Sequence, residues 1–218
     1  MGLAARDASP AAAEAFKEAD EALGLPLSGL IFEGPEEDMK LTRNTQPAVV
    51  ATSIALYRAL GETPDVAAGH SLGEYAAHVA AGTLSFADAI RTVRLRGKTM
   101  QEAVPVGEGA MAAVLKADRA TVESACATAA EATGQVCEAV NYNGPGQIVI
   151  AGSTRAVAHA AEELKAARAR VMPLPVSAPF HSSLMKPAEE KLAPELRGLP
   201  SAAPAFPVNA DVAAAPVE

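Results

Sequence analysis

Cysteine, aromatic residues and long apolar runs are scarce in this chain. Its 218 residues include 2 cysteines, no tryptophan and 4% aromatic residues. The sequence has neither the cysteine content nor the secretory signal of a small disulfide-stabilised secreted domain, so we expect Cys126 and Cys137 to be reduced and buried. No apolar run approaches the ~20 residues that cross a bilayer. We therefore expect a cytoplasmic protein that does not associate with membranes.

Positive charge is scarce as well. Lysine and arginine number 18 against 26 aspartate and glutamate residues, which gives a formal net charge of −8 and a pI of about 5.1. An acidic chain has no overall attraction for nucleic acid or an anionic membrane, so an acidic partner would have to bind a local basic cluster. The histidines and cysteines lack metal-ligand spacing, and no phosphate-binding or dinucleotide-binding glycine motif occurs. We expect no nucleic-acid partner, no metal and no cofactor.

Helical periodicity and short apolar runs predict four helices and one strand before residue 107. The helices cover about residues 10–23, 44–60, 72–81 and 86–104, and a short buried strand covers residues 65–68. The first helix has clear boundaries, since Ser9 supplies a capping hydroxyl, Pro10 suits the first helical position and Gly24 favours an end.

The pattern changes at residue 107. Strands are predicted over residues 109–115, 136–142, 147–151 and 171–176, with helices over residues 118–133 and 154–169. The order β-α-β-β-α-β is that of a ferredoxin-like unit. We therefore predict a ferredoxin-like subdomain over residues 107–174. It is inserted into a larger domain formed by residues 1–106 and 175–218, which contains one more helix over residues 186–197.

The motif G-x-S-x-G occurs at residues 69–73, between a predicted strand and a predicted helix. In this context the motif lifts a serine hydroxyl onto a tight, strained turn, where it is exposed as a nucleophile. We expect both Gly69 and Gly73 to be required, because a side chain at either position would collide with the neighbouring strand or helix. Ser71 is therefore a candidate nucleophile, and an acyl-enzyme is the first mechanistic hypothesis.

A serine nucleophile needs a general base, and four histidines are candidates. His159 lies in a polar helical stretch and is expected at the surface. His78 lies far along the helix that follows Ser71, and His70 lies inside the turn with its ring expected to point away from the hydroxyl. His181 follows a proline-rich segment and is the leading candidate; an ordinary residue at a helix start is the structural alternative.

The helix over residues 86–104 distributes its basic residues unequally. At ~100° per residue, Arg91, Arg94 and Lys98 fall on one flank and the solvent side, whereas Arg96 falls on the opposite flank. Arg96 is therefore the basic side chain expected to point inward. Two interpretations stay open, a buried ion pair and a bidentate clamp for a substrate carboxylate.

Several motifs follow one another along the chain: NTQPA at residues 44–48, GHSLGEY at 69–75, RLRGK at 94–98, GAMAA at 109–113, NYN at 141–143 and PVSAPFH at 175–181. Together they closely resemble the malonyl-CoA:acyl-carrier-protein transacylases of fatty acid synthesis. The resemblance extends over essentially the whole chain, and several ordered motifs are far more specific than any single one.

The resemblance implies an α/β fold with an α/β-hydrolase-like core and an inserted ferredoxin-like (βαββαβ) subdomain. It implies that Ser71 is the nucleophile, His181 the general base and Arg96 the residue that grips the malonyl carboxylate. The backbone N–H of Leu72 would donate to the oxyanion. Leu72 and Phe180 match the residues that accompany malonyl rather than methylmalonyl selection in related polyketide acyltransferases.

The function implied by the resemblance is transfer of a malonyl group from malonyl-CoA to the phosphopantetheine thiol of acyl carrier protein, through a malonyl-serine intermediate. The protein would act as a monomer, with Arg91, Arg94 and Lys98 as candidates for docking the acidic carrier protein. Three alternatives stay open: an acyltransferase of polyketide synthesis, a non-catalytic module that binds carrier protein, and a general esterase. The esterase would have an acid residue between the serine and the histidine and no buried arginine.

The two ends depart from the family pattern. Family members begin with a strand and a Gly-Gln-Gly-Ser-Gln loop that donates a second oxyanion N–H, whereas this chain opens at Met1-Gly2-Leu3. They also continue beyond the region of residues 209–211, into a segment where a glutamine carbonyl orients the catalytic histidine. We therefore expect a truncated transacylase, and loss of one oxyanion donor costs about 10²–10³-fold in rate.

Overall fold

The computed structural model describes residues 1–176 and 178–217. This part of the chain contains both helices and strands, which makes it a mixed α/β protein. The helices are α1 (Leu3–Ala8), α2 (Pro10–Leu23), α3 (Leu27–Glu33), α4 (Glu36–Met39), α5 (Thr42–Leu60), α6 (Gly73–Ala80), α7 (Phe86–Ala103), α8 (Arg119–Thr133), α9 (Thr154–Ala166) and α10 (Lys186–Gly198). The strands are β1 (Ala67–Ala68), β2 (Gly109–Leu115), β3 (Cys137–Gly144), β4 (Gln147–Ser153), β5 (Arg170–Pro173), β6 (Val208–Ala210) and β7 (Ala215–Val217), and a 3₁₀ turn (Ser183–Met185) precedes α10.

The boundaries of α2 follow from its flanking residues. The Ser9 hydroxyl accepts a hydrogen bond from the Ala12 N–H at 3.4 Å, and Pro10 occupies the first helical position. Gly24 ends the helix in the left-handed conformation, with φ 63°. The predicted helix is confirmed at both ends, and α5 is confirmed with a slightly earlier start than expected.

The chain divides into two compact units. One is formed by Met1–Lys98 together with Leu192–Glu218, and the other by Thr99–Lys191. They are termed the first and the second unit. The predicted domain division, with a subdomain over residues 107–174, stays a prediction. Among the described residues, no helix combines the length and the apolar character that a membrane span requires.

The first unit has a helical core between α2, α3, α5 and the first part of α7. Its core side chains at 2% exposure or less include Phe16, Leu27, Ile54, Ile90 and Val93. Each side chain of this kind stabilises the fold by about 1.5–3 kcal/mol when its apolar surface is fully removed from water. This packing fixes α5 and α7, the helices that carry Gln46 and Arg96.

A three-stranded sheet of order β1-β6-β7 also belongs to the first unit. β1 pairs in parallel with β6, and β6 pairs antiparallel with β7. The prediction of a buried strand over residues 65–68 is wrong in length and burial, since β1 contains only Ala67 and Ala68 and the preceding Val66 is 51% exposed. β1 lies at the edge of this sheet, so its side chains are less covered than those of a central strand.

The second unit contains a four-stranded antiparallel sheet of order β3-β4-β2-β5. Successive side chains of a strand point to opposite faces. On β4, Ile148 and Ile150 belong to the apolar cluster formed with α8 and α9, whereas Val149 belongs to a cluster on the other face. The predicted element order β-α-β-β-α-β is confirmed. Cys126 and Cys137 are free and buried, as predicted.

The contact between α5 and α7 generates a prediction for stability. A Cβ atom at Gly97 would lie 2.5 Å from the carbonyl oxygen of Thr42 and 2.8 Å from the Cα atom of Arg43. Because these backbone atoms cannot yield as a flexible side chain would, Gly97→Ala is expected to force the helices apart. The free energy of unfolding should fall by about 1–3 kcal/mol, as measured by urea denaturation.

The matched control is Gly29→Ala in α3, where the added Cβ atom meets the Pro26 Cβ atom at an ordinary 3.8 Å. This variant should gain about 0.5–1 kcal/mol, since alanine favours a helix over glycine. Equal stabilities of the two variants would contradict the close-packing argument.

Candidate active site

The elbow, residues 69–73, joins β1 to α6. Ser71 lies in its middle with φ 52°, in the left-handed region that is strained for a residue with a side chain. A Cβ atom at Gly69 would lie 2.0 Å from the carbonyl carbon of Gly73, so only glycine fits there. The expected collision at Gly73 itself is wrong, because a Cβ atom at that position would point into open space. The strand-to-helix context predicted for Ser71 is confirmed.

Hydrogen bonds connect the Ser71 hydroxyl to Arg96 and, through Arg96, to Gln46. Arg96 Nη2 donates a hydrogen bond to Ser71 Oγ at 3.1 Å, and Arg96 Nη1 donates to Gln46 Oε1 at 2.7 Å. Gln46 belongs to α5 and Arg96 to α7. The guanidinium is thereby held against the hydroxyl by a neutral amide.

Gln46 was missed by the sequence reasoning, although a signal was present. The residue stands immediately before Pro47 on the apolar side of the predicted helix, and its side chain is buried. Buried polar side chains almost always have a hydrogen-bond partner. A polar residue at that position therefore indicates a partner outside its own helix.

Burial lowers the pKa of Arg96 below its usual value, and the nearby Tyr75 opposes that shift. The Arg96 Cζ atom lies 6.0 Å from the centre of the Tyr75 ring, and burial also raises the pKa of the Tyr75 hydroxyl. Arginine keeps its proton in proteins. The elbow is therefore next to a partly desolvated cation, which attracts an anion more strongly than it would in water.

A carboxylate contacts the backbone of the elbow. The Ser71 N–H donates to Asp211 Oδ2 at 2.5 Å, across 140 positions of sequence. In the first turn of α6, the pKa of Glu74 is raised by burial and by the charge of Asp211, while His78 opposes the shift. Asp211 was also missed by the sequence reasoning, and no local signal connects it to Ser71.

Leu72 directly follows Ser71 and precedes α6. Its backbone is helical, with φ −58° and ψ −33°, and its side chain packs against the core of the first unit. This packing fixes the orientation of the N–H that would donate to an oxyanion. Both predicted roles of Leu72, in oxyanion binding and in malonyl selection, stay predictions.

The candidate base lies in the second unit. His181 is exposed, has φ 64° and borders a cavity of about 380 Å³. Phe180 is half-buried and packs against the apolar clusters that contain Met100 and Met111. Ser177, in the same sequence motif, lies outside the described residues. The residues that line the cavity are His181, Ser182, Ser183, Met185, Lys186 and Glu189.

The other three histidines differ in environment. His70 is exposed within the elbow. The Nδ1 atoms of His78 and His159 are buried and find no hydrogen-bond partner among the described residues. His159 is half-buried on α9, so part of the residue lies at the surface as expected, although its Nδ1 atom is buried.

The basic residues of α7 proposed for docking have contacts within the first unit. Arg91 pairs with Asp88 at 2.6 Å. Arg94 Nη1 donates to Asn44 Oδ1 at 2.5 Å, and Lys98 is exposed. Their role in binding a carrier protein stays a prediction.

Known proteins resemble this chain over most of its length. The family described as the acyl transferase domain matches residues 1–216. The malonyl CoA-acyl carrier protein transacylase of Escherichia coli (strain K12) is 52% identical over 210 residues, which cover 93% of this chain and 67% of that protein. Among solved structures, an acyl-carrier-protein S-malonyltransferase from Burkholderia pseudomallei 1710b superposes with a TM-score of 0.93 at 46% identity, over 99% of this chain and 71% of its own.

A further solved structure holds a type II PKS acyl-carrier protein in complex with its malonyl-transacylase. One of its chains matches with a TM-score of 0.90 at 47% identity, over 94% of this chain and 68% of that chain. The family match, the sequence identity and the superposition agree with one another. The chain therefore belongs to the acyl transferase domain family, together with the malonyl CoA-acyl carrier protein transacylases.

Proposed function

We propose that this chain transfers a malonyl group from malonyl-CoA to the phosphopantetheine thiol of acyl carrier protein, through a malonyl ester on Ser71. The observation that carries the proposal is the 3.1 Å hydrogen bond from Arg96 Nη2 to Ser71 Oγ. In a malonyl ester on that oxygen, only the ester carbonyl carbon and one methylene separate Oγ from the free carboxylate. A guanidinium that contacts Oγ is therefore within reach of the carboxylate.

The first half-reaction forms the ester. His181 accepts the proton of the Ser71 hydroxyl while Oγ attacks the thioester carbonyl carbon of malonyl-CoA. The backbone N–H of Leu72 donates a hydrogen bond to the oxyanion of the tetrahedral intermediate. The carbon–sulfur bond then breaks, and the coenzyme A sulfur takes the proton from His181.

The second half-reaction transfers the group onward. His181 accepts the proton of the phosphopantetheine thiol, whose sulfur attacks the carbonyl carbon of malonyl-Ser71. The bond to Oγ breaks, and Oγ takes its proton back from His181. Each step moves only an acyl group and a proton, so the proposed cycle needs neither a metal nor a redox cofactor.

Arg96 selects the acyl group in this proposal. The malonyl carboxylate pairs with the guanidinium in a bidentate manner, and Gln46 Oε1, at 2.7 Å, holds the guanidinium in place. An acetyl group lacks the carboxylate and forms no ion pair with the desolvated cation, which costs roughly a few kcal/mol relative to malonyl. Leu72 and Phe180 favour malonyl over methylmalonyl.

The finer fold assignment belongs to the same proposal: an α/β-hydrolase-like core with a ferredoxin-like subdomain, in a cytoplasmic monomer. The sheet order β3-β4-β2-β5, with α8 and α9 packed on one face, supports the ferredoxin-like arrangement. The strand, elbow and helix that carry Ser71 support the hydrolase-like core.

A second candidate function differs only in the acceptor. One matched structure contains a type II PKS acyl-carrier protein with its malonyl-transacylase, at 47% identity to this chain. A carrier protein of polyketide synthesis is therefore an alternative acceptor. Values of kcat/KM for carrier proteins of fatty acid and polyketide synthesis, measured side by side, separate the two functions.

Covalent labelling of Ser71 is the first test. Incubation with malonyl-CoA should add one malonyl group, detected by intact-protein mass spectrometry, and Ser71→Ala should abolish the adduct because the attacking oxygen is gone. Ser53→Ala, at an exposed position of α5, is the control and should label like the parent chain. A labelled Ser71→Ala variant would contradict the proposal, and carrier-protein binding without any labelling would favour a non-catalytic module.

Arg96→Ala tests the selection of the acyl group. Its kcat/KM for malonyl-CoA should fall by about 10²-fold, because the carboxylate loses its charged partner, whereas the rate with acetyl-CoA should stay equal or rise. Release of coenzyme A measures both reactions. Arg119→Ala is the control, since Arg119 is an exposed arginine of α8 that pairs with Glu123.

Equal losses with malonyl-CoA and acetyl-CoA would show that Arg96 does not act through the carboxylate. Hydrolysis of neutral esters at a rate that Arg96→Ala leaves unchanged would instead support a general esterase.

A further inference from the structure

The backbone at His181 is strained. Its φ of 64° lies in the left-handed region, which costs on the order of 1–3 kcal/mol for a residue with a side chain. Such a conformation persists only where the surrounding contacts determine it. Contacts on both sides of His181 connect it to one sheet, formed by β3, β4, β2 and β5.

On the N-terminal side of His181 the anchor is Pro179. A Cβ atom at Gly109, the first residue of β2, would lie 2.3 Å from Pro179 Cδ, so the proline ring packs directly on the strand backbone. The buried Ser182 hydroxyl donates a hydrogen bond to the Pro179 carbonyl at 2.7 Å. This bond closes the turn that contains His181 and fixes one end of the turn on β2.

On the C-terminal side the anchor is Glu138. Its Oε2 atom accepts a hydrogen bond from the Ser183 N–H at 2.7 Å. Glu138 lies on β3, where its backbone pairs with Ala151 of β4. A hydrogen bond to a carboxylate is roughly twice as strong as one between neutral groups. The turn therefore has a second fixed end on the same sheet.

We propose that Glu138 is a positioning residue for His181. Its carboxylate holds the Ser183 N–H and so keeps His181 in the strained conformation that its role as general base requires. The inference rests on the proposed function, which assigns that role to His181. Without the anchor the turn relaxes, and a reacting group displaced by ~1 Å loses up to about 10²-fold in rate.

A purely structural role for Glu138 has different consequences. Ser183 begins the 3₁₀ turn before α10, and a carboxylate at a helix start is stabilising. Loss of such a cap lowers the free energy of unfolding and leaves the acylation rate of the folded protein unchanged. Loss of a positioning residue lowers the rate constant of acylation and leaves the KM for malonyl-CoA unchanged.

The test compares Glu138→Ala, Glu138→Gln and Glu131→Ala in the full chain. Rapid-quench mass spectrometry gives the rate constant and the KM of Ser71 malonylation, and urea denaturation gives the folded fraction. Glu138→Ala should lower the rate constant about tenfold and leave KM within about twofold. Glu138→Gln keeps an oxygen that accepts from the Ser183 N–H and should stay within about threefold of the parent chain.

Glu131→Ala removes an exposed glutamate of α8 and should match the parent chain. A Glu138→Ala rate constant equal to that of Glu131→Ala overturns the inference. An equal loss in Glu138→Gln, or a loss that only follows the folded fraction, overturns it as well.

His181→Ala separates this inference from the proposed function. If His181→Ala malonylates Ser71 at the parental rate, the assignment of His181 as general base fails, and the inference fails with it. If His181→Ala abolishes malonylation while Glu138→Ala keeps the parental rate, the proposed function stands and the positioning role of Glu138 fails.

Discussion

The contact between the Arg96 guanidinium and the Ser71 hydroxyl is the interaction on which the candidate site depends. It places a charged group where water is partly excluded, which is unfavourable unless hydrogen bonds compensate. Gln46 supplies one such bond. The helical core of the first unit holds α5 and α7, which carry Gln46 and Arg96. The apolar packing therefore fixes the distance between a cation and a nucleophile, in addition to stabilising the unit.

Ser71 and His181, the proposed nucleophile and general base, both adopt the left-handed backbone conformation that is uncommon for residues other than glycine. Ser71 has φ 52° and His181 has φ 64°. Strain of this kind is maintained at functional sites because it holds a side chain where a relaxed loop would not. At Ser71 the absence of a side chain at Gly69 makes the tight turn possible. At His181 the hydrogen bonds of the flanking residues hold the turn, so each unit maintains its own strained residue by a different means.

Elements with a local signal could be predicted from the sequence, and long-range contacts could not. The capping residues of α2 and the G-x-S-x-G motif lie within or beside the structure they specify, and both predictions are confirmed. Gln46 and Asp211 acquire their contacts with Arg96 and Ser71 across 50 and 140 positions. The position of Gln46 indicates that a partner exists, but no local pattern identifies which residue it is. The wrong expectations, a collision at Gly73 and a buried strand over residues 65–68, have the same origin. Each depends on which neighbours the tertiary structure provides.

Gly97 connects the packing of α7 against α5 with the geometry of the Arg96–Gln46 contact. Because Gly97 has no side chain, α7 approaches the first turn of α5 closely. Gly97 also directly follows Arg96 in the sequence. Gln46 lies about one turn beyond Thr42, the residue that a side chain at position 97 would contact. A change in the spacing of the two helices therefore shifts the amide relative to the guanidinium. Under the proposed function, in which Arg96 binds the malonyl carboxylate, acyl-group preference then depends on this helix contact as well as on the residues that touch substrate. Position 97 is therefore a useful site for directed evolution outside the pocket.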